Sequence, residues 1–397
     1  MSSTRPQFVF VILVLHLFSL SSLFSQESQL EKSGGTTPFW RSTSFGSQAL
    51  NPDISLIGDF LIRPGARDSG VNAFSLREAE LGLQAAVDPY SRADIFLAVE
   101  EEEGKFHVDI EEAFLTFLAL PFKSQAKAGR FIMDFGRSHR THSPERDFSD
   151  NPLAFEKLLG VENSMKSNGL SFNLLVPLPV SSYHEVRAEA GETKTSFGEE
   201  SEAIKSNERF IYAREKNFFP LGENLNLELS GGFGRWQTDG GIEKVKSTST
   251  FEGRAHDLIR SIATGDFTLK WKPNAYRSFL LEGNLLYTFS RPLAEENENG
   301  EKKIKHAVNE VQTQGGFIQL QVQPLRRWYL GSRIDYLLNG DSQKEERQYV
   351  GILTFFPSEF SRLRFQWNRK DTDGEERSHR FFIQLTWALG PHRPHPF

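Results

Sequence analysis

The residues best suited to chemistry are concentrated in one charged segment, 137–167. Four of its cations could face three of its carboxylates: Arg137, Arg140, Arg146 and Lys157, with Asp147, Asp150 and Glu156. Charged rings in a narrow pore set ion selectivity, because the low-dielectric wall focuses their field. The segment therefore predicts a pore constriction. A solvated surface loop is the alternative.

Two histidine pairs share an i, i+3 spacing, His139 with His142 and His392 with His395. Imidazole nitrogens beside carboxylates such as Glu145 suit zinc, although structural zinc sites usually need four ligands in a defined framework. The pairs are therefore either zinc ligands or polar residues of a loop and a tail. Apart from zinc, the sequence indicates no cofactor.

Motifs of catalysis are absent from the sequence. It contains no Gly-x-Ser-x-Gly, His-Glu-x-x-His, phosphate-binding glycine loop or dinucleotide fingerprint. With no cysteine, it also lacks a thiolate nucleophile, a disulfide framework and any cysteine metal site. The net charge of −6, without a basic block, argues against nucleic acid as a partner. We expect a protein that is not an enzyme.

The N-terminus predicts export. Residues 1–25 resemble a signal peptide, with Arg5 ahead of an apolar stretch and a cleavage position near Gln26. A transmembrane anchor is the alternative. The mean hydropathy of −0.44 argues against a bundle of membrane helices, each of which needs about 20 apolar residues.

The elements that must position these residues show a two-residue period. In 278–290, for example, Phe279, Leu281 and Leu285 alternate with polar residues, so one sheet face is apolar and the other polar. Sixteen such segments are joined alternately by short, proline-containing turns and by long, charged linkers. This alternation is typical of bacterial outer-membrane barrels. We expect an all-β, transmembrane antiparallel barrel of about 16 strands, within a range of 14–18.

The same pattern assigns faces to individual side chains. The excess of aromatic residues, with Phe at 35, is expected to face lipid and form girdles at its interfaces. One strand, 106–119, is irregular, because its apolar parity changes between Ile110 and Ala113. The lumen is expected to mix signs of charge, with Arg187, Arg333, Arg362 and Arg364 against Glu78, Glu80, Asp94, Glu228 and Asp335. That mixture indicates no ion preference.

Several stretches resemble a known group of outer-membrane proteins. They include Leu50-Asn51-Pro52-Asp53-Ile54-Ser55, the run from Leu76 to Tyr90, Glu111-Glu112-Ala113-Phe114-Leu115, Gly129-Arg130-Phe131 with Phe135-Gly136-Arg137, and the ending from Leu389 to Phe397. The group is known as zinc-regulated TonB-dependent outer membrane receptors. The Gly-Arg-Phe segment also resembles phosphate-selective porins of the O and P type. The first resemblance implies a receptor and the second a channel.

These observations divide the chain into a signal peptide (1–25), a periplasmic tail (26–52), a barrel (53–390) and a C-terminal tail (391–397). Sixteen strands leave a water-filled channel, whereas TonB-dependent transporters use 22 strands around a plug. We expect a porin-like channel of the outer membrane for small hydrophilic solutes or ions, compatible with a homotrimer. The alternative is a receptor or surface binding protein for zinc or another ligand, without an open pore.

Overall fold

The computed structural model describes residues 52–64, 73–102, 105–159, 164–178, 182–197, 204–244, 259–290, 293–298, 301–306, 311–339 and 344–390. The signal peptide predicted at 1–25 and the tail up to residue 51 lie outside these residues. So does the segment 391–397, which contains His392 and His395.

Sixteen antiparallel strands close into one barrel, as the alternating pattern predicted. Each barrel strand pairs with the barrel strands that precede and follow it in the sequence, and the first barrel strand pairs with the last to complete the ring. The barrel strands are β1 (Asp53–Ile62), β2 (Phe74–Asp88), β3 (Ser91–Glu102), β4 (Lys105–Leu120), β5 (Ser124–Ile132), β6 (Lys166–Val176), β7 (Tyr183–Phe197), β8 (Ile204–Pro220), β9 (Leu225–Lys244), β10 (Ile259–Asn274), β11 (Arg277–Ser290), β14 (Val311–Leu325), β15 (Trp328–Leu338), β16 (Glu345–Ser358), β17 (Ser361–Thr372) and β18 (Ser378–Leu389).

Strands β12 (Leu293–Glu298) and β13 (Glu301–His306) form a separate hairpin inside the predicted linker 291–309. The predicted linker 101–105 is shorter than expected, since β3 ends at Glu102 and β4 begins at Lys105. Among the described residues, no helix is long and apolar enough to cross a bilayer.

The outer surface of the barrel is apolar and aromatic over most of its circumference. The tryptophan and tyrosine side chains assigned to lipid or to its interfaces are exposed there: Trp271, Trp328, Trp367, Trp387, Tyr276 and Tyr287. The lumen-facing charges predicted by parity are buried or half-buried instead, with Arg333 and Asp335 at 1% and 0% exposure. Strand parity therefore located both faces of the sheet.

Two β-bulges explain where the parity changes. Glu112 pairs with Phe96 while Ile110 pairs with Leu97, so Glu111 is an extra residue in β4. In the same way, Arg77 is extra in β2, between Leu76 and Glu78. A bulge re-aims side chains locally. Both bulges place two successive charged side chains in the barrel interior.

Strand β5 is short because the chain leaves the wall after Ile132 and enters the lumen. Gly129 and Gly136 flank the departure with φ values of 135° and 123°, which other residues rarely adopt. Phe131 and Phe135 between them are 1% and 0% exposed. The Gly-Arg-Phe and Phe-Gly motifs thus direct the backbone inward.

Replacing Gly129 by Ala should destabilise the barrel by about 1–3 kcal/mol, through backbone strain at positive φ. The new Cβ would also lie 2.2 Å from the carbonyl oxygen of Ala113. Gly265→Ala is the control, because nothing lies within 4 Å of its added Cβ. Guanidinium unfolding followed by tryptophan fluorescence compares the two. Equal stabilities would contradict the role assigned to Gly129.

Candidate functional site

The segment between β5 and β6 folds into the barrel lumen. This inner loop, residues 133–165, is described except for 160–163 and contains helix α1 (Arg137–Arg140), a 3-10 turn (Ser143–Glu145) and helix α2 (Leu153–Leu159). Most of its side chains are buried. The segment predicted as a constriction therefore lies inside the barrel.

One side of the inner loop packs on an apolar part of the wall. Phe155 contacts Phe317 with ring centroids 5.5 Å apart, and Phe135 contacts Tyr212 at 5.1 Å. The cluster also includes Trp236, which is 0% exposed. The other members are Met133, Ala154, Leu158, Leu159, Met165, Phe210, Ile262, Leu286 and Leu337. Burial of this surface fixes the loop against strands β8–β11, β14 and β15.

Helix α2 is held at both ends by charged wall residues. The backbone N–H of Leu153 donates to Asp335 at 3.4 Å, and Arg260 donates to the carbonyl oxygen of Leu158 at 3.2 Å. A carboxylate at a helix N-terminus and a cation at its C-terminus both complement the helix dipole. The wall thus stabilises the orientation of α2 across the lumen.

On the opposite side, arginines of β17 bind the backbone of the loop. Arg362 and Arg364 donate to the carbonyl oxygen of Arg146 at 3.1 and 2.9 Å. Arg362 also donates to the carbonyl oxygen of Pro144. These bonds satisfy backbone oxygens that have no partner in a helix or sheet.

Asp150 of the inner loop is bound by four side chains of the wall. It lies 3.1 Å from Arg333 and accepts hydrogen bonds from Gln348, Gln366 and Asn368 at 2.9, 2.7 and 2.7 Å. Its partners come from three consecutive strands, β15, β16 and β17. Charge-assisted bonds of this kind stabilise the loop at one defined height in the barrel.

Arg137 links the loop to β11. Its guanidinium donates to Asp147 at 2.7 Å and to Glu282 at 2.9 Å. Burial alone would lower the pKa of Arg137, but these two carboxylates raise it above its ordinary value. The residue stays charged, and it joins the loop to the wall.

Arg140 and Asp134 belong to a second charge cluster. Asp134 lies 3.3 Å from Arg140 and 2.8 Å from Arg187 of β7, with Arg214 at 3.5 Å. Burial would raise the pKa of Asp134, but the surrounding guanidinium groups hold it well below its ordinary range. One carboxylate thus compensates several buried cations.

His139 is a structural histidine. Its Nδ1 lies 2.9 Å from the carbonyl oxygen of Met133, and its Nε2 lies 3.0 Å from the backbone nitrogen of Met165. A neutral ring that donates through Nδ1 and accepts through Nε2 satisfies both contacts. Burial lowers the pKa of His139 to about 3. The ring joins the two ends of the inner loop, with both nitrogens engaged.

His142 has the opposite charge state. Its Nδ1 contacts Glu80 of β2, and its Nε2 lies 3.0 Å from Glu112 of β4. Burial alone would lower the pKa of His142, but Glu80 and Glu112 raise it well above its ordinary value. A doubly protonated ring donates to both carboxylates, so His142 is an ion-pair anchor between the loop and two wall strands.

The remaining predicted residues divide into buried and exposed ones. Arg146 is buried and donates to the carbonyl oxygen of Thr141 at 3.2 Å; burial, with Arg77 nearby, lowers its pKa to about 10. Glu156 and Lys157 are exposed on α2. A small cavity between the loop and the wall is lined by Arg137, Arg146, Asp147, Asp150 and Arg333. Four of the seven predicted constriction residues meet there.

The apolar wall cluster was missed by sequence reasoning. A signal was present, because Phe210-Ile211-Tyr212 and Leu285-Leu286-Tyr287 are consecutive apolar runs that put bulky side chains on both faces. Such runs indicate that the inner face is dry locally. Of the two glutamates that bind His142, Glu80 was assigned to the lumen by strand parity, and Glu112 was not assigned to it.

The described residues contain no group of three or more His, Asp or Glu side chains that could hold a metal ion. The pair His139 and His142 is engaged with backbone groups and with glutamates, respectively. His392 and His395 lie outside the described residues.

No family model matches the chain. An uncharacterized protein of Aquifex aeolicus (strain VF5) is 27% identical over 405 residues, covering 89% of this chain and 81% of the relative.

Solved structures of similar fold are outer-membrane proteins. The channel DcaP of Acinetobacter baumannii aligns with a TM-score of 0.54 and 11% identity, over 87% of this chain and 99% of that one. A loop-deletion mutant of OmpT of Vibrio cholerae aligns with a TM-score of 0.52 and 9% identity, over 86% of this chain and 100% of that one. The anion-selective porin of Comamonas acidovorans aligns with a TM-score of 0.50 and 9% identity, over 85% of this chain and 98% of that one.

At these identities the likeness establishes the fold. The chain has the barrel fold of outer-membrane porins, as its resemblance to porins implied. The resemblance to zinc-regulated TonB-dependent receptors finds no support, because the barrel has sixteen strands instead of 22.

His142 should make the stability of the barrel depend on pH above about 6.5, its ordinary pKa. Because the folded-state pKa is raised, its contribution is complete below 6.5 and is lost as pH rises through the folded value. His142→Gln should lower the free energy of unfolding at pH 6 by about 3–5 kcal/mol, since it leaves buried carboxylates uncompensated.

The measurement is guanidinium unfolding at pH 6 and pH 9. The loss of stability between these values should be smaller in His142→Gln than in the wild type. His139→Gln is the control, because burial lowers the pKa of His139 to about 3, so its contribution to the pH dependence has the opposite sign and its removal should not make the loss smaller. An unchanged pH slope in His142→Gln would contradict the ion-pair assignment.

Proposed function

We propose that the chain is a porin-like channel of the bacterial outer membrane, which lets small hydrophilic solutes or ions diffuse passively. The observation that carries this proposal is the inner loop, a charged segment folded inside a closed sixteen-strand barrel. A barrel of this size encloses an aqueous channel unless something fills it. The loop narrows that channel and lines it with fixed charge.

The lumen side supports a role in handling polar solutes. Its strands carry both cations and carboxylates, and the cavity beside the loop is lined by three arginines and two aspartates. Charged groups at a constriction act on passing ions at short range. In this proposal the chain catalyses no reaction and needs no cofactor, and its partners are lipid and the diffusing solute. A homotrimer is the assembly that we propose.

The dense packing of the loop favours a second candidate. Its contacts reach strands on all sides of the barrel, from Glu80 and Glu112 to Glu282 and Arg364. A barrel filled in this way could act as a surface binding protein without conductance, for zinc or another ligand.

Single-channel recording separates these candidates. The mature chain, refolded and inserted in a planar bilayer, should give discrete conductance steps. A variant in which a Gly-Ser linker replaces residues 138–163 should give steps several-fold larger, because the constriction is removed. Folding of both proteins is checked by heat-modifiable gel migration. A folded wild type that is silent, beside a conducting variant, would support the binding protein.

Charge at the cavity should govern ion selectivity. Asp147→Asn removes one negative charge from the lining and should shift the reversal potential in a salt gradient toward anion preference. Arg137 keeps a buried partner in this variant, because Glu282 remains 2.9 Å away. Glu156→Gln is the control. It removes the same charge from the inner loop, but at an exposed site away from the cavity. Equal shifts in the two variants would contradict a constriction at Asp147.

A further inference from the structure

The outer face of strands β5–β8 differs from the rest of the barrel surface. On β14–β18 the outward side chains are bulky, as at Ile334 and Phe365, which are 49% and 44% exposed. The cross-strand register puts small and charged residues on the outside of β5–β8. They are Ala126, Ala128 and Arg130; Ala188, Ala190 and Glu192; and Arg209, Ala213 and Glu215, beside Leu170, Phe172 and Ile211.

Glu215 is the least expected of these residues. It pairs with Val186 and Gly231 on the outer face, whereas Arg214 before it points into the lumen and binds Asp266. Glu215 is exposed and makes no hydrogen bond or ion pair with the described part of the chain. It lies five residues from Pro220 at the turn. At ~3.3 Å per residue and a tilt of ~40°, this places the carboxylate about 13 Å along the barrel axis.

That height falls near the middle of the apolar band, which is about 25 Å tall in such barrels. A charged side chain facing lipid at this depth is unfavourable, and such residues normally face protein or water. A cation is therefore needed to compensate the charge of Glu215, and lipid tails do not contain one.

Arg130 lies on the opposite border of the same face, at a similar height. It is six residues from Ser124, where β5 begins, and its outward partners are Ala113 and Asn168. Its Nε donates to the carbonyl oxygen of Ile110 at 2.6 Å, and Asp109 lies 3.5 Å from its terminal nitrogen. The side chain remains 28% exposed, so part of a five-donor guanidinium is open to a further acceptor.

The wall beside Arg130 is also interrupted. Strand β5 pairs with β4 only between Ala113 and Leu120, because the chain has turned into the lumen above Ile132. Above that point β4 has no strand partner on this side among the described residues, and its outward side chains Phe106 and Val108 are 64% and 73% exposed. An uncovered strand edge at the bilayer favours contact with another protein surface.

We infer that the outer face of β4–β8 is the contact surface between copies of this chain, in which Glu215 of one copy pairs with Arg130 of the next. The acidic and basic borders of one face lie at matching heights, so a neighbour turned about the membrane normal presents the complementary border. A head-to-tail contact of this kind closes into a ring. The small side chains between the borders allow the two walls to approach closely.

The absence of cysteine makes a direct test available. In a double variant, Arg130→Cys with Glu215→Cys, the two thiols lie three strands apart, about 14 Å at the usual strand spacing. No disulfide can span that distance within one chain. The protein, purified from membranes and oxidised, should therefore give linked copies on a non-reducing gel. Ser332→Cys with Glu215→Cys is the control, because Ser332 faces outward on β15, and it should stay unlinked.

Charge reversal provides the second measurement, with assembly read by native mass spectrometry of folded protein. Glu215→Arg should dissociate the assembly, and the double variant Glu215→Arg with Arg130→Glu should restore it. Ala190→Trp should also dissociate it, whereas Ser332→Trp should not. A folded wild type that is monomeric at every concentration would overturn the inference. So would an assembly that Glu215→Arg and Ala190→Trp both leave intact.

Discussion

The structure depends on the pairing of charge that is buried inside the barrel. The inner loop leaves the wall and crosses the lumen, so its backbone oxygens and its charged side chains must find partners among the strands. Arg333 and Gln348 bind Asp150, and Glu282 binds Arg137. An unpaired charge in this position would cost several kcal/mol. The wall is therefore polar where the loop is polar.

The two sides of the loop are held by different forces. Against β8–β11, β14 and β15 an aromatic cluster around Phe155 and Trp236 excludes water, and its contacts are non-directional. Against β15–β18 the contacts are directional hydrogen bonds from Arg362, Arg364 and their neighbours. The apolar side fixes how deeply the loop is buried, and the polar side fixes its rotation and height. A loop held in both ways has one defined position in the lumen.

The alternating pattern was sufficient to predict the barrel and about sixteen strands, but it left open whether the charged loop lies in the lumen or on the surface. Strand faces follow from local sequence, because a two-residue period needs no knowledge of distant partners. The partners of the loop do not follow in this way. Arg137 meets Glu282 across 145 positions of sequence, and that contact exists only after the ring has closed in one register. The bulge at Arg77 was equally missed, because an extra residue is recognised with certainty only against its paired strand. The bulge at Glu111 did leave a local sign, the change of apolar parity between Ile110 and Ala113.

His139 and His142 show why residue type and spacing alone could not define the site. They are three positions apart on one short segment, and the spacing suggested a shared role in metal binding. His139 faces backbone groups that need one donor and one acceptor, which a neutral ring provides. His142 faces Glu80 and Glu112, which need two donors, and only a charged ring provides both. The protonation state of each ring is thus set by the groups that the fold brings to it, and the charge of the inner loop is determined by the wall as much as by the loop's own sequence.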